Sequence, residues 1–287
     1  MSKILLTGAT GTIGSQVLNQ LLDAHADLRV GVRTPAKSAD IAARGAEVVA
    51  LDYEQPATLD SAMKGAHTLF LLTPFVEDPV PYTQLALDAA KRNGIQHIVR
   101  LSVVGADPNG IGPGRYHGIC DALLKDSGIA WTILAPTFFQ DNLLNYTGGS
   151  IQRDNAFYGA AGNGKISYVS AFDIARVACK ALLQPSAHSG QTYVLTGPEA
   201  LSEHEVAHIL SEILGREIRY INLAPEQFAG GMRANHLPEW MIQHMLDLEQ
   251  IKANGWAEAV SHDIEKVLNS PATRMKDYLT TQKQRLL

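Results

Sequence analysis

The chain has 287 residues, enough for one large or two ordinary domains. Hydrophobic residues make up 46% and charged residues 18%, which excludes a disordered chain. A net charge of -5 with no basic block excludes nucleic acid as a general partner.

Strand and helix signals alternate along the first part of the chain. Ile4 to Leu6 reads as a short buried strand. Thr12 to Leu22 carries a helical stripe of Ile13, Val17, Leu18, Leu21 and Leu22. Leu28 to Val32, Ala46 to Leu51 and His67 to Leu72 read as the next strands. Pro81 to Asn93 reads as a helix stopped by Gly94, and His97 to Leu101 as a strand. Arg115 to Asp126 reads as a helix and Ile129 to Leu134 as the sixth strand. Such alternation forces parallel pairing through right-handed crossovers. The strands are apolar throughout, as a sheet covered on both faces requires. The expected fold is therefore α/β, a doubly wound parallel sheet.

After Pro136 the rhythm changes. Phe138 to Tyr146 reads as helical and Gly148 to Lys165 as a Gly/Asn-rich loop. Ile166 to Val169 reads as a strand. Ser170 to Leu183 reads as a helix opened by a Ser170/Asp173 capping box, and Thr192 to Leu195 as a strand. From Leu201 onward the pattern is mostly helical, with one strand at Ile218 to Ile221.

The strongest motif is TGATGTIG, Thr7 to Gly14, set between the first strand and the first amphipathic helix. In that context it reads as a dinucleotide-binding turn. Gly8 allows the tight turn, Gly11 lets backbone approach a pyrophosphate, and Gly14 lets helix and strand pack closely. Thr10, Thr12 and Ile13 fill the turn, and the amides of the helix start would hold the anion. About 20 residues further on, NAD-binding proteins carry an acid for the ribose 2′-hydroxyl. Here Arg33 stands there, with Lys37 close by and no carboxylate before Asp40. A guanidinium matches a 2′-phosphate, so NADP(H) is expected over NAD(H). Asp52 and Tyr53 follow the third strand and are placed to meet the adenine. Thr73 and Pro74 follow the fourth and are placed to line the ribose end.

The segments TGATGTIG, VGVR, ALDYEQPATL, FLLTP and HIVRLSVVGA resemble the NmrA-like, atypical short-chain dehydrogenase/reductase family. SGIAWTILAPTFFQDNLL, GNGKISYVSAFDIARVA and LTGPEALSEHEVA extend the resemblance over nearly the whole chain. Within that family the chain is most similar to bacterial NAD(P)H-dependent reductases of azo dyes, quinones and triphenylmethane dyes. The resemblance implies that Pro136, Thr137 and Phe138 lie beside the nicotinamide. Phe138 and Phe139 would then stack on a flat substrate, with Asn142 hydrogen-bonding it. Late in the chain Trp240, Met241, His244, Met245 and Leu248 make a helical stripe, either a lid over an aromatic substrate or a core or dimer surface. The wider superfamily moves protons with Tyr-x-x-x-Lys and a Ser. Ser102 stands where that Ser is expected, but the fourth residue after Tyr116 is Cys120, not Lys. Carbonyl chemistry of that kind and sugar-nucleotide epimerisation therefore lack their machinery. Hydride transfer to a conjugated aromatic acceptor remains, with His117 as first and Tyr116 as second candidate proton donor. The alternative is a non-catalytic redox sensor that binds the dinucleotide and regulates a partner.

The expected division is a dinucleotide-binding domain over 1–136 and 166–198, and a smaller, mostly helical substrate domain over 137–165 and 199–287. His204 to His208 spells HExxH, with Glu226 downstream, the outline of a zinc peptidase. Ser202 and Glu205 form a capping box there, and both histidines point away from the Val206, Ile209, Leu210, Ile213, Leu214 stripe. No metal is therefore expected. Two cysteines, Cys120 and Cys179, make no disulfide framework. No apolar run reaches a membrane span, and the N-terminus reads straight into a strand. A cytoplasmic monomer or homodimer is expected.

Overall fold

A computed structural model describes residues 2–287. Its first part runs β1 (Ile4–Leu6), α1 (Thr12–Asp23), β2 (Leu28–Val32), α2 (Ala39–Ala43), β3 (Glu47–Ala50), α3 (Pro56–Met63) and β4 (Thr68–Leu71). It continues through α4 (Val80–Arg92), β5 (His97–Leu101), α5 (Gly112–Lys125) and β6 (Ala130–Pro136). The second part runs α6 (Gln140–Asp154), β7 (Ala156–Gly159), β8 (Lys165–Ile166), α7 (Ala171–Leu183), α8 (Pro185–His188) and β9 (Gln191–Leu195). The chain closes with β10 (Leu201–Ser202), α9 (Glu203–Leu214), β11 (Arg219–Asn222), α10 (Pro225–Ala234), α11 (Glu239–Ala253), α12 (Asp263–Leu268) and α13 (Met275–Thr281).

Seven strands form the parallel central sheet in the order β3-β2-β1-β4-β5-β6-β9. From β1 the chain winds outward to β3, returns to β4 beside β1, and winds the other way. The strand order therefore reverses between β1 and β4, where doubly wound sheets bind ligands at their carboxyl ends. Ile4, Leu5 and Leu6 are buried, as are Leu69 and Phe70 opposite Leu5 and Leu6. A strand covered on both faces has no polar side to present.

The chain divides into two compact units. The first contains 1–110, 114–135 and 174–193, and the second contains 111–113, 136–173 and 194–287. One core of the first unit gathers Leu5, Leu59, Met63, Leu69, Leu87, Ile98 and Ile133. The core of the second gathers Leu143, Leu144, Ile151, Phe157, Val206, Leu210 and Leu279. In it β7 and β11 pair in parallel and β8 and β10 antiparallel.

The expected loop over Gly148–Lys165 is corrected here. Helix α6 runs on through Gly148 and Gly149 to Asp154, and β7 follows at once. Neither glycine is a good helix former. Buried Ile151, one turn beyond Gly148, packs with Leu143 and Leu144 and carries the helix on. Asn155, in the left-handed conformation, ends it. The expected strand over Ile166–Val169 is also shorter. Only Lys165–Ile166 pairs regularly, and Val169 makes an isolated bridge to Phe139.

Candidate functional site

The turn after β1 is built around two glycines. Gly8 has a φ of +70°, and a Cβ there would lie 2.8 Å from Leu72 Cδ2. Gly14 lies against the Gly8 carbonyl, with 2.0 Å between that oxygen and a would-be Cβ. Neither position admits a side chain, so α1 begins hard against the end of β1. Thr7 fastens the turn to β4, donating from Oγ1 to the Phe70 and Leu72 carbonyls at 2.9 and 3.1 Å. The Leu72 amide donates back to Thr7 Oγ1 at 2.9 Å.

Gly11 caps α1 without a side-chain hydrogen bond, and the first turn holds no acid. The amides of Thr12, Ile13 and Gly14 therefore sit at the positive end of the helix dipole with no side-chain cap. Thr10 and Gly11 are exposed beside them. This cradle has the shape and sign for a pyrophosphate.

Around it, Arg33 and Lys37 are exposed and make no side-chain hydrogen bond or ion pair among the described residues. Asp52 shapes its own loop, accepting from the Glu54 amide at 3.1 Å and Gln55 Nε2 at 3.3 Å. Tyr53 is buried in the core, edge-on to Tyr82 at 5.6 Å. Burial raises its phenol above the usual range. Thr73 and Pro74 are half-buried beyond β4.

The three proton-transfer candidates meet two partners that the sequence reading missed. Ser102 is buried and donates to Asp121 Oδ2 at 2.6 Å. Arg100, also buried, donates from Nη1 to Asp121 Oδ1. Arg100 Nη2 lies 3.3 Å from His117 Nδ1. Burial pushes the Asp121 carboxyl up, and the Arg100 guanidinium works against it. Arg100 lies near the end of β5 and Ser102 just past it; His117 and Asp121 are four apart on a helix, hence on one face. Tyr116 and His117 are half-buried. Cys120 is buried, its thiol accepting from Thr83 Oγ1 at 3.2 Å and pushed up by burial. Asp121 lies in the buried stripe of α5, three residues after Gly118 and three before Leu124, but nothing local in the sequence names its partner.

The second unit holds the rest. Thr137 donates from Oγ1 to the Ser167 carbonyl at 2.6 Å, just after Pro136 ends β6. Phe138 is half-buried, with Lys252 Nζ 5.2 Å over its ring and Tyr168 edge-on at 6.5 Å. Lys252 lies within a buried charge cluster, donating to Glu249 at 2.8 Å and Glu203 at 3.2 Å. Burial opposes its charge, but the two carboxylates outweigh it and raise the ammonium above its ordinary value. Phe139 caps α6, and Asn142 lies in that helix's first turn. Trp240 is half-buried in α11.

The HExxH stretch opens α9 as a capping box. The Ser202 amide donates to Glu205 at 2.7 Å, and the Glu205 amide donates to Ser202 Oγ at 3.2 Å. His204 lies edge-on to Tyr220 at 5.0 Å, and His208 is 3.4 Å from Glu212. Among the described residues, no helix is long and apolar enough to cross a membrane.

Comparison with known proteins gives a consistent picture. A family profile described as NAD(P)H-binding matches residues 8–185. An NAD(P)H azoreductase of Xenophilus azovorans is 37% identical over 96% of this chain and 96% of its own. The NADPH-dependent quinone oxidoreductase of Escherichia coli, solved with NADPH, superposes at a TM-score of 0.89 with 29% identity, covering 98% of this chain and 99% of that one. The triphenylmethane reductase of a Citrobacter species, solved with NADP(H), superposes at 0.87 with 25% identity over 98% and 99%.

Proposed function

Because the chain belongs to the NAD(P)H-binding family, we propose that it is an NADPH-dependent oxidoreductase of quinone-, azo- or other conjugated aromatic acceptors. The observation that carries this reading is the glycine cradle under the uncapped start of α1, at the point where the strand order reverses. The acceptor class rests on the names of the relatives, an azoreductase, a quinone oxidoreductase and a dye reductase.

In this reading the amides of Thr12, Ile13 and Gly14 hold the pyrophosphate. Arg33, with Lys37 nearby, pairs with the 2′-phosphate, for which an unpaired guanidinium is the natural partner. Asp52 and Tyr53 border the adenine. Tyr53 does so as a packed wall, since its ring is in the core. Thr73, Pro74 and the Pro136–Phe138 segment border the ribose and nicotinamide. The cofactor supplies a hydride, that is, two electrons with one hydrogen nucleus. A quinone-like acceptor that takes it with one proton leaves as the quinol. His117 and Tyr116 are proposed to face that acceptor as hydrogen-bond donors. Ser102 acts behind them, because its hydroxyl proton is committed to Asp121. Phe138, Phe139, Asn142 and Trp240 are proposed to hold the flat acceptor, within a substrate domain of 137–165 and 199–287. No Lys follows Tyr116 at the fourth position, so the proton has water as its source.

The test is an acceptor panel of quinones, azo dyes and triphenylmethane dyes, run with NADPH and NADH. NADPH oxidation that depends on acceptor supports the reading. Tight NADPH binding with no turnover on the whole panel overturns it and favours the sensor.

A further inference from the structure

Arg100 and Asp121 have as yet no role, although Arg100 is the largest fully buried side chain among the described residues. A guanidinium carries only donors. Its 3.3 Å contact with His117 Nδ1 therefore makes that nitrogen the acceptor. An imidazolium, or the neutral ring with its proton on Nδ1, would set two donors face to face. A neutral ring that accepts at Nδ1 carries its proton on Nε2, on the opposite side of the ring. Asp121 fixes the guanidinium in turn, taking Arg100 Nη1 on one oxygen and Ser102 Oγ on the other. Arg100 reaches the ring from β5, and Asp121, on the same helix as His117, holds that guanidinium with Lys125 acting on its carboxylate.

We propose that Arg100, backed by Asp121, is a positioning residue that keeps His117 neutral with its proton on Nε2. His117 is then a hydrogen-bond donor to the hydride acceptor rather than an imidazolium acid. The electron balance is that of the proposed reaction: hydride to the acceptor, proton to the product from water, and the Nε2–H bond intact throughout. This rests on the reductase reading only for its consequence in turnover; the tautomer itself needs no acceptor.

The experiment is nitrogen NMR of the imidazoles in the whole protein at neutral pH, with and without NADP(H). The chain has 10 histidines, and the His117→Gln variant identifies the signals to be read. The expected result is an unprotonated Nδ1 and a protonated Nε2. In the Arg100→Met/Asp121→Leu double variant, which replaces the buried pair with apolar groups, the fixed tautomer should be lost. There kcat should fall about tenfold while acceptor KM stays within about twofold. Arg100→Lys, which keeps the charge and loses the fork, should also lose the fixed tautomer, and it serves if the double variant does not fold. A protonated Nδ1 in the native protein, or an unchanged tautomer in both variants, overturns the inference. A fixed Nε2–H tautomer with no acceptor turned over overturns the reductase reading and leaves this one standing.

Discussion

A Cβ on Gly14 would stand 2.0 Å from the carbonyl oxygen of Gly8. The contact sets how closely α1 can approach the end of β1, and so where its amides point. Gly14→Ala forces that helix outward. The expected cost is about 1–3 kcal/mol of stability, as for other overpacked sites, together with loss of measurable NADPH binding. Gly11 differs, because a Cβ there would meet only Gly8 O at 3.5 Å, an ordinary contact. Gly11→Ala should leave stability within about 0.5 kcal/mol and still weaken NADPH, since the methyl stands where the anion approaches. Thermal melts and NADPH titrations of the two variants check the contrast.

Arg33 separates the two cofactors. A charge-assisted hydrogen bond to a 2′-phosphate contributes about 1.5–3 kcal/mol. Arg33→Ala should therefore weaken NADPH roughly 10- to 100-fold and leave NADH nearly unchanged. Equal losses for the two cofactors would sink the assignment of Arg33.

His97 is expected to make the fold acid-labile. Burial pushes its imidazole down to about 4 from the ordinary 6.5, and the neighbouring His188 adds to the shift. Its Nε2 meets Thr132 Oγ1 at 2.9 Å inside the first unit. Between those two values the unfolded chain binds the extra proton and the folded one does not. The stabilisation is therefore complete above about pH 6.5 and declines as pH falls towards 4, by about 3 kcal/mol at most. Urea unfolding of the wild type and His97→Gln across pH 4–7 measures this. The variant should show a shallower acid decline.

The capping box of α9 loses its contribution in the same direction, through an exposed acid. Hydrogen bonds from Ser202, the backbone amide first, hold the Glu205 carboxyl below its ordinary range. Its contribution is present above that range and is lost as pH falls through the lowered value. Ser202→Ala should cost about 1 kcal/mol. A chelator should leave melting unchanged, because Glu205 is a cap here. A fall in melting temperature on chelation would restore the zinc reading.

The doubly wound parallel sheet and the glycine turn were legible because each rests on local rules: apolar runs, a repeated alternation, and two positions where only hydrogen fits. After Pro136 the first half of α6 was legible in the helical reading of Phe138 to Tyr146, but its second half was not. Gly148 and Gly149 oppose a helix locally, and only the burial of Ile151 with Leu143 and Leu144 overrules them. Around the proton-transfer candidates, Ser102, Tyr116 and His117 stood out by type. Arg100 and Asp121 did not, because their pairing joins a strand to a helix 21 residues later, and no local pattern records that distance. The same limit hid the packing of Tyr53 against Tyr82 and of Lys252 over Phe138.

The place of β9 bears on how the chain is made. It is the outermost strand beside β6, yet it is synthesised only after the whole stretch from Thr137 to Gly190. During vectorial synthesis β6, reading AWTILAP, has one side without a partner until Gln191–Leu195 emerges. An apolar edge of that kind is a template for pairing with other chains. A nascent chain that stops before Gln191 therefore leaves the apolar edge of β6 unpaired, and the five residues of β9 cover it.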